Sequence, residues 1–95
     1  MTIGYADRRT AIGTGKEIDV GSPKTLTFAM VSENGDAVAS AEVQLVDGGN
    51  WVTAFTPLGE GEPKSTNGPV KKIRINVTNL GSGSFVDFEV LGERQ

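Results

Sequence analysis

Pro69-Val70-Lys71-Lys72-Ile73-Arg74-Ile75-Asn76-Val77-Thr78 is followed by Asn79-Leu80-Gly81-Ser82-Gly83-Ser84 and then by Phe85-Val86-Asp87-Phe88-Glu89-Val90-Leu91. In the first run Ile73, Ile75 and Val77 alternate with Lys72, Arg74, Asn76 and Thr78. In the last, Val86, Phe88 and Val90 alternate with Asp87 and Glu89. A period of two gives each run one apolar and one polar face, the pattern of a half-buried β-strand. The glycines at 81 and 83 supply the turn between them. The simplest arrangement is a hairpin, with Ile73 opposite Val90, Ile75 opposite Phe88 and Val77 opposite Val86. That register also sets Arg74 opposite Glu89 on the polar face, a favourable cross-strand pair. A slip of one residue would turn the apolar set out into water.

The rest of the chain fits a small protein built from such strands. Ninety-five residues make one domain, and a chain of this size buries about 60–65% of its unfolded surface, enough for a modest core. With no cysteine there is neither a disulfide nor a thiolate site. With no histidine the commonest general base and the commonest metal ligand are missing. No apolar run approaches a membrane span, and the N-terminus lacks a signal-peptide pattern, so no membrane partner is expected. Thirteen glycines suit many turns. The formal charge is −3 and unevenly spread: residues 25–60 hold Glu33, Asp36, Glu42, Asp47 and Glu60 and no Lys or Arg. This is either a set of solvated loops and strand faces or an acidic face for a basic neighbour. Lys71, Lys72 and Arg74 are interrupted and face an acidic strand, which disfavours nucleic acid as a partner.

Four further strands precede the hairpin. Glu17–Val20 carries Ile18 and Val20 inward. Lys24–Ser32 alternates Leu26, Phe28 and Met30 with Thr25 and Thr27. Asn34-Gly35 is a turn signal, and Val38–Val46 follows with Ala39, Ala41, Val43 and Leu45 inward. Asp47-Gly48-Gly49-Asn50 turns the chain into Trp51–Leu58, where Trp51, Thr53 and Phe55 oppose Val52 and Ala54; Pro57 ends that strand. Residues 59–69 are loop-forming throughout. Six short strands separated by turns predict an all-β fold, a small antiparallel β-sandwich of jelly-roll or immunoglobulin-like type, over residues 17–92. Residues 93–95 form a frayed tail.

No chemistry stands out. A nucleophile needs a base beside it, and the carboxylates lie on turns or solvated faces that do not raise a pKa. An enzyme is not expected, nor a catalytic group, a metal site or a cofactor. Gly13-Thr14-Gly15-Lys16 fails as a phosphate loop, because position 10 is Thr and Glu17 follows the lysine. Two side chains from Asp47 and Asn50 are a poor start for Ca²⁺. Asn76-Val77-Thr78 matches a glycosylation acceptor inside a strand, a chance match. Trp51 is the single tryptophan; a core position is favoured over a sugar-binding platform.

Two pieces carry a resemblance. Asp47-Gly48-Gly49-Asn50-Trp51-Val52, with Phe55 beyond, resembles the Asp-Gly-x-Asn-Trp turn of small β-sandwich proteins encoded by tailed bacteriophages. Arg74-Ile75-Asn76-Val77-Thr78 is similar to the Arg-x-Asn-x-Thr pattern of a later strand in those proteins, and the order of strands agrees over residues 17–92. The run before the turn, Gln44-Leu45-Val46, departs from their usual Gly-Ser lead-in. The resemblance implies a virion structural protein, assembled in the host cytoplasm. Its leading form is a capsid decoration or cement protein that bridges neighbouring capsomers. The alternatives are a tail or fibre adaptor that recognises carbohydrate, and a free host-interaction protein. It implies as partners the major capsid protein or another virion protein, and a homo-oligomer.

Residues 1–16 match neither piece and show no clean period. They are expected to be an extended N-terminal arm, either wrapped on its own domain or ordered only by a partner. Ile3, Tyr5 and Ile12 beside Arg8 and Arg9 have the composition of an interface hot spot. The acidic stretch offers those arginines a target on a neighbouring copy or on the shell.

Overall fold

Alternating runs become strands throughout the computed structural model, which describes residues 2–21, 23–33, 37–67, 70–81 and 84–93. The strands are β1 (Thr2–Arg9), β2 (Gly13–Thr14), β3 (Ile18–Asp19), β4 (Thr25–Ser32), β5 (Val38–Gln44), β6 (Trp51–Phe55), β7 (Lys64–Asn67), β8 (Lys72–Asn79) and β9 (Val86–Glu93). They form two antiparallel sheets. Sheet A has the order β1-β9-β4-β7; sheet B has β2-β8-β5-β6, with β3 also on β8. β2 faces Val77 and Asn76, and β3 faces Ile73 and Lys72, so the two lie end to end along one side of β8. Counted as one interrupted strand, they reduce nine strands to eight. The first then pairs with the last, the second with the seventh, the third with the sixth, and the fourth with the fifth. A long hairpin rolled up in this way is a β-sandwich of the jelly-roll type, not the immunoglobulin type.

This nesting overturns the expected hairpin. β8 and β9 are consecutive but lie in different sheets. Ile73 pairs with Val43 and Ile18, not with Val90. Val90 lies between Tyr5 and Phe28. Arg74 is opposite Glu42 rather than Glu89. Alternation fixes which face of a strand is buried and says nothing about which strand lies beside it. The segment between the strands crosses the sandwich, with half-buried Leu80 packed on the core and the Phe85 carbonyl accepting from Glu33 N–H at 2.9 Å. The Ser82 and Gly83 part of the expected turn, and the Asn34–Asp36 turn, lie outside the described residues.

Other expectations change with it. The boundary at residue 17 gives way, because Thr2–Arg9 is a full strand paired with β9 from Thr2–Glu93 to Arg9–Val86. Its period was obscured by Asp7 and Arg9 on the inner side and Gly4 and Ala6 on the outer side. Lys64–Asn67, expected in a loop, pairs with β4 from Thr25 to Phe28. Glu93 is not frayed: its carbonyl accepts from Lys24 N–H at 2.8 Å, and residues 94–95 lie outside the described part. β5 stops at Gln44, which is buried, whereas Leu45 is exposed instead of facing inward.

The core lies between the sheets. β4, β8 and β9 point their predicted apolar sets inward, with Leu26, Phe28, Met30, Ile73, Ile75, Val77, Val86, Phe88 and Val90 all buried. Phe28 is at its centre, 6.0 Å from the stacked ring of Phe88 and 5.7 Å edge-on from Phe55. Ala39 and Ala41 on β5 let sheet B approach these rings.

Phe88→Ala is expected to destabilise by about 3–5 kcal/mol, since it removes a buried ring and leaves a cavity. Glu89→Ala on the exposed face should cost less than about 1 kcal/mol. Denaturant titrations that return equal costs would contradict the face assignment.

Candidate interaction surfaces

The two pieces of the phage resemblance meet on the outer face of sheet B. Trp51 opens β6 opposite Gln44, and Arg74 and Asn76 project from β8 on the same face as Glu42 of β5. The Arg74 guanidinium lies 4.1 Å from the centre of the Trp51 ring. Its Nε–H donates to Glu42 Oε1 at 2.6 Å, and Asn76 Nδ2 donates to Glu42 Oε2 at 3.4 Å. A cation held over an aromatic ring and anchored by a carboxylate is a pre-set polar platform. Trp51 is half-buried and belongs to this outer face, not to the core as expected. Its place in the turn motif hid this, because the position of a residue at the start of an edge strand does not reveal its face.

Beyond Trp51 the β5–β6 turn presents aliphatic side chains to water. Leu45 and Val46 in the turn are 59% and 64% exposed, while Val52, opposite Val43 on β6, is 50% exposed on the other side of the strand from Trp51. The turn is braced from below. Gln44 Nε2 donates to the Gly49 carbonyl at 2.8 Å, and Gly49 N–H donates to the Val46 carbonyl at 2.9 Å. Lys72 Nζ reaches Asp47 at 3.2 Å, and this hydrogen bond raises the lysine pKa. The turn that carries Leu45 and Val46 is thus tied back to β5 and β8. Alternation alone puts Leu45 inside and hides this surface; the two consecutive apolar residues Leu45-Val46 are the signal in the sequence that the strand has ended.

The residues singled out in the N-terminal segment are divided by the fold. Ile3, Tyr5 and Arg9 lie half-buried on the inner side of β1, and Tyr5 packs against the core. Arg8 points outward and forms a paired contact with Asp87: Nε donates to Oδ1 at 2.7 Å and an Nη–H donates to Oδ2 at 2.9 Å. Its guanidinium also lies 3.9 Å from the Phe85 ring centre. Arg9 Nη1 is 3.7 Å from Asp7, whose carboxylate accepts from Lys16 N–H at 3.0 Å. Both arginines thus find acidic partners within their own chain, Asp87 and Asp7, and Glu33 of the 25–60 stretch adds to the field at Arg8. Ile12 is 63% exposed, beyond the strand.

The outer face of sheet A beside β1 is lined by small side chains. Gly4 and Ala6 on β1, Thr27 and Ala29 on β4, Leu91 and Glu89 on β9, and Pro63 bound a shallow trough of about 420 Å³. Among the described residues no group of three or more acidic side chains is arranged to hold a metal ion.

No protein-family model and no curated protein matches the chain. Among solved structures it is similar to the SPBc2 prophage-derived protein YomS, with a TM-score of 0.64 over 97% of this chain and 96% of that chain. The sequence identity is 14%, so the likeness is one of fold.

Two outcomes are expected. The hydrogen bonds from Arg8 hold the Asp87 carboxyl below its ordinary pKa of 3.8. A depressed folded-state pKa gives stability that is complete above the ordinary value and lost as pH falls through the folded one. The gap in thermal midpoint between wild type and Asp87→Asn should therefore narrow as pH falls below 3.8. Arg74→Ala leaves the Glu42 carboxylate without its cationic partner, with only the Asn76 amide remaining, and uncovers Trp51. It should cost about 1–3 kcal/mol and shift the emission of the single tryptophan. An unchanged spectrum would show that the indole and the guanidinium do not meet in solution.

Proposed function

We propose that this chain is a structural protein of a bacteriophage virion: a capsid decoration or cement protein that sits on the shell and bridges neighbouring capsomers. The observation that carries this reading is the end-to-end likeness to a prophage-derived protein, 97% of one chain over 96% of the other. The two phage-like motifs agree with it, since they build a single surface, Trp51 on Arg74. The exposed Leu45 and Val46 supply apolar contact area in the adjoining turn, and exposed aliphatic side chains next to a Trp–Arg pair have the makeup of a binding hot spot. The partner in this reading is the major capsid protein or another virion protein.

A second reading has one specific observation in its favour. Trp51 lies on an outer sheet face with Glu42, Arg74 and Asn76 around it, an aromatic side chain among planar polar groups that would suit a carbohydrate-recognising tail or fibre module.

Mass spectrometry of purified particles, with heads and tails separated, distinguishes the two. The cement reading requires the chain on heads, in a fixed ratio to the capsid protein. Leu45→Asp with Val46→Asp should strip it from heads and leave its thermal midpoint within a few degrees, as expected for an exposed site. Recovery only on tails, together with glycan binding that is lost in Trp51→Ala, would replace cement by the second reading. Absence from particles would remove both.

A further inference from the structure

The margins of the two sheets are not equally protected. Sheet A ends on one side in β7, which has four residues. Sheet B ends in β6, five residues long and out of register with β5 between Ala41 and Glu42. Its other margin is β2 and β3, two residues each. The chain between them is held close at Gly15, where a Cβ would come within 2.7 Å of Asp7 Oδ2 and 2.8 Å of Ile75 Cγ2. Short, shifted or broken margins are the ordinary protection against unplanned strand pairing. β1 is neither short, shifted nor broken, and its guard is confined to the inward charges Asp7 and Arg9 in its second half. It runs for eight residues without proline, and its register with β9 is unbroken. One alternate set of its N–H and C=O groups faces β9, and the other set faces the open margin. Among the described residues no strand covers that margin.

We infer that β1 is a self-docking edge: two copies of the chain join β1 to β1 in antiparallel fashion about a two-fold axis. Two four-stranded sheets become one sheet of eight. A two-fold axis normal to the sheet keeps outer faces together, so the register must pair odd residues with odd and even with even. With Tyr5 on the axis, Tyr5 faces the second copy's Tyr5 and Gly4 faces its Ala6. Ile3 then faces its Asp7, and Thr2 its Arg8. No like charges are opposed. Arg8 is already held by Asp87 at 2.7 Å, and Asp7 already accepts from Lys16 N–H.

The side chains on both faces suit a second copy as the occupant. On the inner side Tyr5 packs against the core yet remains half-exposed, because nothing flanks it at the margin. A second Tyr5 opposite it completes its burial, and aromatic pairs are among the favourable cross-strand pairs. On the outer side Gly4 and Ala6 offer no bulk to obstruct the approach, and the trough they line would continue across the axis from one copy to the next. A closed two-fold contact uses the same patch on both subunits, and β1 complements itself in this register. The inference concerns the isolated chain in solution and does not depend on a role in a virion.

The experiment uses the absence of cysteine from the chain. Gly4→Cys and Ala6→Cys are made separately. The new Cβ at position 4 meets only Leu91 Cδ2, at an ordinary 3.7 Å, and position 6 is exposed. Directly opposed residues have Cβ atoms about 4.5–5.5 Å apart, whereas Cα atoms more than about 7 Å apart cannot be bridged by a disulfide. Mixed under mild oxidation, the two variants should cross-link to each other at position 4 of one copy and position 6 of the second. Each variant alone should cross-link far less. Sedimentation of the wild-type chain should show its mass rising from 10.0 kDa toward twice that value with concentration. A mass fixed at 10.0 kDa at every concentration would overturn the inference. So would a dimer in which the mixture cross-links no better than either variant alone.

Discussion

The central position of β9 is the constraint on which the structure rests. All eight of its residues, Val86 to Glu93, have a partner on β1 and another on β4. Its inward side chains, Val86, Phe88 and Val90, are buried, and Phe88 stacks on Phe28 of the neighbouring strand. A strand paired on both sides has its backbone groups satisfied within the sheet and needs no water. The same strand sets the position of the N-terminal segment. β1 has no other neighbour in its sheet, so the placement of Tyr5 on the core and of Arg8 on Asp87 follows from the β9 register.

Much of this was legible in the residues, though of one kind only. For β4, β8 and β9 the alternation named the buried set correctly, because a sheet with one wet face forces that pattern. Neighbour relations were not legible. Arg74 can satisfy its charge equally well on Glu89 or Glu42, and only the roll of the whole chain chooses Glu42. β1 was obscured for a related reason. It is an edge strand whose inner side is only half-covered, so Asp7 and Arg9 are tolerated there, with Asp7 held by the Lys16 amide. Central strands do not tolerate such residues, and the apolar pattern is correspondingly cleaner.

The surfaces follow the same division. Trp51 and Arg74 lie 23 positions apart in sequence and come together because β6 and β8 both flank β5. Nothing local to either residue foretells that contact. The expected inward position of Leu45 fails because β5 ends two residues before Val46; its alternation stops at Gln44, whose amide braces the loop. A side chain at the end of a strand takes its exposure from the turn, and turns are the least constrained part of an alternating pattern.

The nested pairing also bears on how the chain comes off the ribosome. Arg8 and Asp87 are separated by 79 positions, and the partner of β1 is the last strand made. Chains are elongated at about 5–20 residues per second. β1 must therefore wait several seconds, with Ile3 and Tyr5 uncovered, for the one strand with which it pairs. Only the β5–β6 pair can close early, since its strands adjoin in sequence. Sheet A cannot be completed until the residues of β9 have left the exit tunnel. The nascent N-terminal strand is therefore the part that needs shielding in the interval.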